Sequence, residues 1–306
     1  MQDKIKTIID GNPIPVLWLD TGFMWSKASD IKFWQQLTKL VIDKKIIVVD
    51  TGQIAEILER FKNSSDYNDE SKLMISIYKD LVGPYFSIDH RSVAERQIKI
   101  AMIAYGKNQP EAVYSFDLLF DELLTMLTPF FDMLNKLSGG SWGTARAFKS
   151  QVQHSLYPDW QKIREKAKNE KQGFEERLQQ ELLARYDIVK KGDTDDANYY
   201  EKKWEQVAGD DKNGLLNFFS SDTYKQIPYV YIYSHLVSDL IVGNEPLTKP
   251  SDYFDVNILS SIIPFANYIV VDNSMRNRIE RLKLTEAYSC KVLKGKELED
   301  ILKSLE

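Results

Sequence analysis

The chain is poor in the residues that build soft-metal sites and covalent staples: it has one cysteine, Cys290, and three histidines, His90, His154 and His235. A single thiol excludes an internal disulfide framework and a multi-cysteine zinc site. It also fits a reducing compartment. The first residues, Met1 to Asp10, lack the apolar run of a secretory signal, because Asp3, Lys4, Lys6 and Asp10 interrupt them, so a cytoplasmic location is expected. Long uncharged stretches are missing as well. The most apolar one, Ala112 to Leu137, carries Asp117, Asp121, Glu122 and Asp132, whereas a membrane span needs about 20 nearly uncharged residues. That stretch is read as a buried helix, and no membrane partner is expected. Nor is there a basic surplus: 40 Lys and Arg stand against 45 Asp and Glu, a net charge of -5. This excludes a protein basic over its whole surface but leaves room for a local basic groove.

What is present is enough apolar material for a sizeable core, 43% of 306 residues. The length exceeds one compact domain of about 100 to 200 residues, so a second domain or a large insertion is expected. Both ends alternate strand and helix patterns. Val16 to Leu19 and Ile46 to Val49 are short apolar runs closed by Asp20-Thr21-Gly22 and Asp50-Thr51-Gly52, the pattern of buried strands ending in turns. Between them Ile31, Trp34, Leu37, Leu40 and Val41 form a helical stripe. Ile54, Ile57, Leu58 and Phe61 predict a helix directly after the second strand. Near the C-terminus the order is a helix over Tyr229 to Ile241, a helix over Asp255 to Ile263 stopped at Pro264, and a strand over Tyr268 to Val271 ending at Asp272. A basic helix over Met275 to Leu282, a strand over Tyr288 to Leu293 and a terminal helix over Lys296 to Leu305 follow. The middle is helix upon helix, and the dense mixed charge of Lys162 to Lys212 predicts an exposed helical hairpin there. The expected fold is an α/β domain, residues 1–65 and 226–306, whose parallel sheet has helices on both faces. A mainly helical insertion, 66–225, interrupts it.

In such a sheet the C-terminal ends of strands and the N-termini of the helices that follow share one edge, where ligands bind. Four acids fall on that edge: Asp20, Glu56, Asp255 and Asp272. Asp255 heads the stripe of Ile258, Leu259 and Ile262, and Asp252 shares its face. A carboxylate aimed inward is costly unless hydrogen-bonded, paired or metal-bound, and capping of the helix is the plainer alternative. Glu56 lies nearly opposite the apolar stripe of its helix, so a solvated face competes with a ligand role. Carboxylates without histidine or cysteine are the ligand set of hard cations such as Mg²⁺ or Mn²⁺, and such sites carry phosphoryl chemistry.

The stretch Ser251-Asp252-Tyr253-Phe254-Asp255-Val256-Asn257-Ile258-Leu259, then Pro264 and Tyr268-Ile269-Val270-Val271-Asp272, resembles the PIN-domain superfamily of metal-dependent nucleases. The opening strand with Asp20-Thr21 is similar to that family's first motif, and the helix with Ala55-Glu56 to the one bearing its internal acid. Gly22 stands where the family usually has asparagine. The resemblance covers roughly residues 14 to 62 and 228 to 305. It implies a PIN-like core in which Asp20, Glu56, Asp255 and Asp272 bind Mg²⁺ or Mn²⁺ and cleave single-stranded RNA, with Asp252 as an added contact. A non-catalytic PIN-like interaction module and a nuclease acting on DNA are the alternatives.

Other motifs are weaker. Asp20-Thr21-Gly22 and Asp50-Thr51-Gly52 both match the Asp-Thr-Gly of aspartic proteases. That fold is nearly all β, however, and here a helical pattern follows the second copy at once, so Asp50 is read as a turn or N-cap residue. Arg276 and Arg278, with Arg281 and Lys283, follow Asp272 closely and are the candidate phosphate holders, against a solvated basic face. Ser138 to Gly143 is read as a helix-to-helix loop, His235 as a core or surface histidine, and Cys290 as core. The insertion is expected to select substrate or a protein partner.

Overall fold

Short apolar runs that are too brief for helices pair here as parallel strands, and longer amphipathic segments form the helices. The structure, a computed structural model, describes residues 6–7, 14–51, 53, 69–82, 90–109, 111–115, 157–192, 194–243 and 252–306. The elements run β1 (Lys6–Thr7), β2 (Val16–Leu19), α1 (Thr21–Ser26), α2 (Ile31–Ile42), β3 (Ile47–Val49), α3 (Asp69–Val82), α4 (His90–Gly106) and β4 (Val113–Tyr114). They continue α5 (Tyr157–Asn169), α6 (Phe174–Lys191), α7 (Asp195–Ala208), α8 (Lys212–Ser220), α9 (Asp222–Lys225), α10 (Pro228–Val242) and α11 (Asp252–Ile262). The chain ends with β5 (Tyr268–Val270), α12 (Asn273–Arg281), β6 (Lys291–Leu293) and α13 (Gly295–Ser304). The predicted helix after β3, the Ser138–Gly143 loop and most of Ala112 to Leu137 lie outside the described residues. No helix among the described residues is long and apolar enough to cross a membrane.

The chain divides into two compact units. One, the sheet unit, comprises the described residues within Ile8–Asp89 and Ile262–Glu306, with Ser115. Its four strands are parallel in the order β3-β2-β5-β6, with Leu17 level with Val48 and Tyr268, and Leu19 level with Val270. Leu17, Leu19, Val48, Val270 and Leu293 join one core with Trp34 and Leu37 of α2, Tyr78 of α3 and Leu298 of α13. The alternate residues Val16, Trp18, Val49 and Ile269 are buried too, so both faces of the sheet are covered. That is why the strands read as unbroken apolar runs instead of alternating ones. Each fully buried leucine of this core contributes about 1.5–3 kcal/mol. Asp30 starts α2 by accepting the Phe33 N–H at 3.1 Å, and the Trp34 indole donates to the Lys27 carbonyl at 2.8 Å.

The other, helical, unit comprises the described residues within Met1–Thr7, His90–Tyr114 and Thr144–Ser261. At its centre α6 buries Leu178, Leu182 and Val189 and packs against α7, α8 and α10. Arg185 of the same helix donates through Nε to the Tyr200 hydroxyl and through Nη1 to the Tyr224 hydroxyl, both at 2.8 Å. Trp204 stacks on Phe218 with ring centroids 5.9 Å apart. Arg164 of α5 closes the C-terminus of α10, giving Nη1 to the Leu240 carbonyl at 2.9 Å and Nη2 to the Gly243 carbonyl at 2.8 Å. These carbonyls have no partner within their own helix, so a cation there satisfies them and favours the helix dipole.

The sequence expectations differ from the structure at three places. Lys162 to Lys212 is not an exposed hairpin, because α6 inserts an apolar stripe and one half-buried arginine among its neighbours. Val113–Tyr114 is a strand paired in parallel with Lys6–Thr7, not the start of a helix. The units also divide elsewhere than at 65/66 and 225/226. Met74, Tyr78, Leu81 and Val82 draw α3 into the sheet core, while α10, and α11 up to Ser261, group with the helical unit.

Candidate functional site

Strand order locates the candidate site. From β2 the chain crosses through α2 to β3 on one side, and from β5 through α12 to β6 on the other. The crevice outside the carboxyl ends of β2 and β5 is therefore the point where the connections diverge, the usual ligand position of an open parallel sheet. Asp20 follows β2 immediately, and its backbone N–H donates to the Val270 carbonyl at 2.9 Å, extending the ladder by one step. Asp272 stands two residues past the end of β5. Asp20 and Asp272 thus leave neighbouring strands at one edge.

Each of these carboxylates also starts a helix. Asp20 Oδ2 accepts the Gly22 N–H at 2.9 Å, and Asp272 Oδ1 accepts the Met275 N–H at 2.8 Å. A Cβ at Gly22 would come within 2.9 Å of Asp20 Oδ2, so the glycine leaves the carboxylate room to hold this cap. One oxygen of each acid is engaged in these caps, and the set is all hard oxygen. Two carboxylates are also what Mg²⁺ commonly takes from a protein, the remaining positions going to water and substrate phosphate. Their oxygen donors suit such an ion in chemistry. Among the described residues, no three side chains of His, Cys, Asp and Glu are grouped to hold one metal.

A third acid closes the same edge. Asp50, fully buried at the end of β3, accepts the Gln53 N–H through Oδ1 at 2.6 Å, the N-cap geometry expected of it. Gln53 in turn donates Nε2 to the Leu19 carbonyl at 3.0 Å, and the Trp18 indole donates to the Thr51 hydroxyl at 2.9 Å. This lattice ties the ends of β2 and β3. Burial, with the nearby Asp50 charge, pushes the Tyr78 phenol well above its ordinary value. The burial of Asp50 was not legible in its motif, since Asp-Thr-Gly reads equally as an exposed turn.

The other predicted residues are placed as follows. Asp252 and Asp255 occupy the first turn of α11 in the helical unit, half-buried, where negative charge favours a helix start. Asn257 of this helix accepts the Tyr229 hydroxyl at 2.7 Å. Glu56 lies outside the described residues. Arg276 gives Nε to Glu280 at 2.7 Å and Nη1 to Glu297 at 3.4 Å, and Arg278 is buried with 3% exposure. The Glu297 carboxyl is held below its usual range, chiefly by the Lys294 N–H and then by Arg276. Two acids thus already hold the Arg276 guanidinium. His235 Nδ1 lies 2.7 Å from the Tyr231 carbonyl, and its ring stands 4.1 Å from that of Tyr231, a packed histidine. Cys290 is buried, which pushes its thiol up.

Set against known proteins, the chain matches no family model, no curated protein and no solved structure.

Proposed function

We propose that the protein is a Mg²⁺- or Mn²⁺-dependent nuclease with a PIN-like sheet domain, acting in the cytoplasm on single-stranded RNA. The observation that carries this reading is the exit of Asp20 and Asp272 from adjacent parallel strands at the point where the crossovers diverge. Asp20 and Asp272 would hold the ion, and Glu56, which lies outside the described residues, is the further acid of the proposed set. When bound, the ion supplies Lewis-acid polarisation of the phosphodiester and lowers the pKa of water. The Gly22 and Met275 N–H groups orient the two carboxylates by each holding one oxygen. Arg276 would reach a phosphate only by leaving Glu280 and Glu297, which makes it a reserve contact.

The test is cleavage of end-labelled single-stranded RNA and DNA with and without Mn²⁺. Asp20→Asn and Asp272→Asn should abolish a Mn²⁺-dependent RNA product while leaving the circular dichroism spectrum unchanged. Cleavage that persists in both variants would overturn the assignment, and a product from DNA alone would move it to the DNA alternative. One observation favours the non-catalytic interaction module: both carboxylates cap helices, a sufficient structural reason for an acid at either position. That reading predicts no cleavage of either nucleic acid and no response to metal.

A further inference from the structure

Between α4 and α7 of the helical unit lies an open cleft of about 200 Å³. Its floor is apolar, formed by the buried Ile98 and Met102. Arg96, Lys99 and Lys203 line it against a single carboxylate, Glu95, although the chain as a whole carries a net charge of -5. Lys99 and Lys203 take part in no ion pair among the described residues. Cations gathered over an apolar floor repel one another and favour an incoming anion.

The wall is aromatic. Burial, with the Glu95 carboxylate beside the hydroxyl, pushes the Tyr199 phenol up to about 12, so it stays neutral. Tyr200 meets Tyr199 edge-on at 5.3 Å and is anchored from behind by Arg185. Lys203 Nζ stands 5.4 Å from the centre of the Tyr199 ring, so cation and ring already occupy one side of the cleft together. A planar apolar group beside an anion is the chemistry of a nucleotide, and aromatic rings interleaved with cations are how proteins take single strands without reading sequence.

We propose that this cleft binds one nucleotide unit, with its phosphate held by Arg96, Lys99 and Lys203 and its base laid on Ile98, Met102 and Tyr199. The unit is either a free nucleotide or one position of a single strand. The inference stands on α4 and α7 alone and does not depend on cleavage at the sheet edge.

The experiment is titration of the full chain, without divalent metal and at low salt, with UMP, AMP and a fluorescein-labelled uridine octanucleotide. Lys99→Glu and Lys203→Glu should each weaken binding about tenfold or more, and raising salt should weaken it further. Tyr199→Ala should cost about tenfold while Tyr199→Phe keeps the ring and most of the affinity. Lys166→Glu, exposed on α5, is the control and should change nothing. An octanucleotide much tighter than UMP identifies a strand, and comparable affinity identifies a free nucleotide; either supports the cleft. No binding of any of the three probes at millimolar concentration would overturn the proposal, as would binding that survives both charge reversals with unaltered thermal midpoints. Competition by inorganic phosphate as effective as that by UMP would overturn the assignment of a base.

Discussion

In the sheet unit the named acids stand at strand ends, where their carboxylates receive the N–H groups of Gly22, Met275 and Gln53. In the helical unit the corresponding charge is Arg185, half-buried on α6 and held by the hydroxyls of Tyr200 and Tyr224. The difference teaches where charge is replaceable. An acid at a strand end can give way to asparagine, which accepts the same N–H bond, so its charge can be removed with little harm to the fold. A guanidinium between two phenols cannot be removed without leaving buried polar groups unpaired. The sheet core itself depends on neither device, being built of aliphatic side chains and the rings of Phe33, Trp34 and Tyr78.

The largest effect expected is in that apolar core. Trp34→Ala should cost about 3–5 kcal/mol in urea unfolding, because it removes a ring that is 1% exposed, its bond to the Lys27 carbonyl and its edge contacts with Phe33 and Tyr78. Next comes Arg185→Met, which keeps length but strands two hydroxyls, Tyr224 in a fully buried side chain, at about 2–4 kcal/mol. A loss no larger than that of an exposed α6 substitution would mean that this guanidinium is as replaceable as a strand-end carboxylate. Asp272→Ala should cost about 1 kcal/mol as a lost cap, and Asp272→Asn less than about 0.5 kcal/mol.

The smallest effect is a pH dependence in the helical unit. Burial lowers the His235 pKa below its ordinary 6.5, partly offset by the Tyr231 carbonyl and Glu175. The unfolded chain then binds the proton first, so this contribution is complete above pH 6.5 and declines as the pH falls from there toward the lowered folded value. Thermal midpoints measured down through this window should fall less steeply for His235→Gln than for the wild type.

Much of the sheet unit was legible in the sequence, because parallel strands buried on both faces are compact apolar runs and the stripe of α2 has a clear helical period. The acids Asp20 and Asp272 were legible for the same reason, each standing where an apolar run stops. Val113–Tyr114 was not legible, since a two-residue strand carries no period and takes its identity from Lys6–Thr7 far away in the chain. Arg185 read as surface charge because a sequence does not reveal that Tyr200 and Tyr224 come to meet it. Of the Arg276 partners, Glu280 was within reach at helical spacing, whereas Glu297 depends on how α12 and α13 lie together. The cleft residue Tyr199 was hidden in a charged helix whose pattern suggested only solvent.

The proposed divalent cation at the carboxyl edge of the sheet is tested, without any guess about substrate, by thermal unfolding with and without millimolar Mn²⁺. An ion that binds only the folded chain raises the midpoint by mass action. A Mn²⁺-dependent rise is expected for the wild type that Asp20→Asn and Asp272→Asn both lose while keeping near-wild-type midpoints without metal. A wild-type midpoint indifferent to Mn²⁺, or a rise that both variants retain in full, would contradict it.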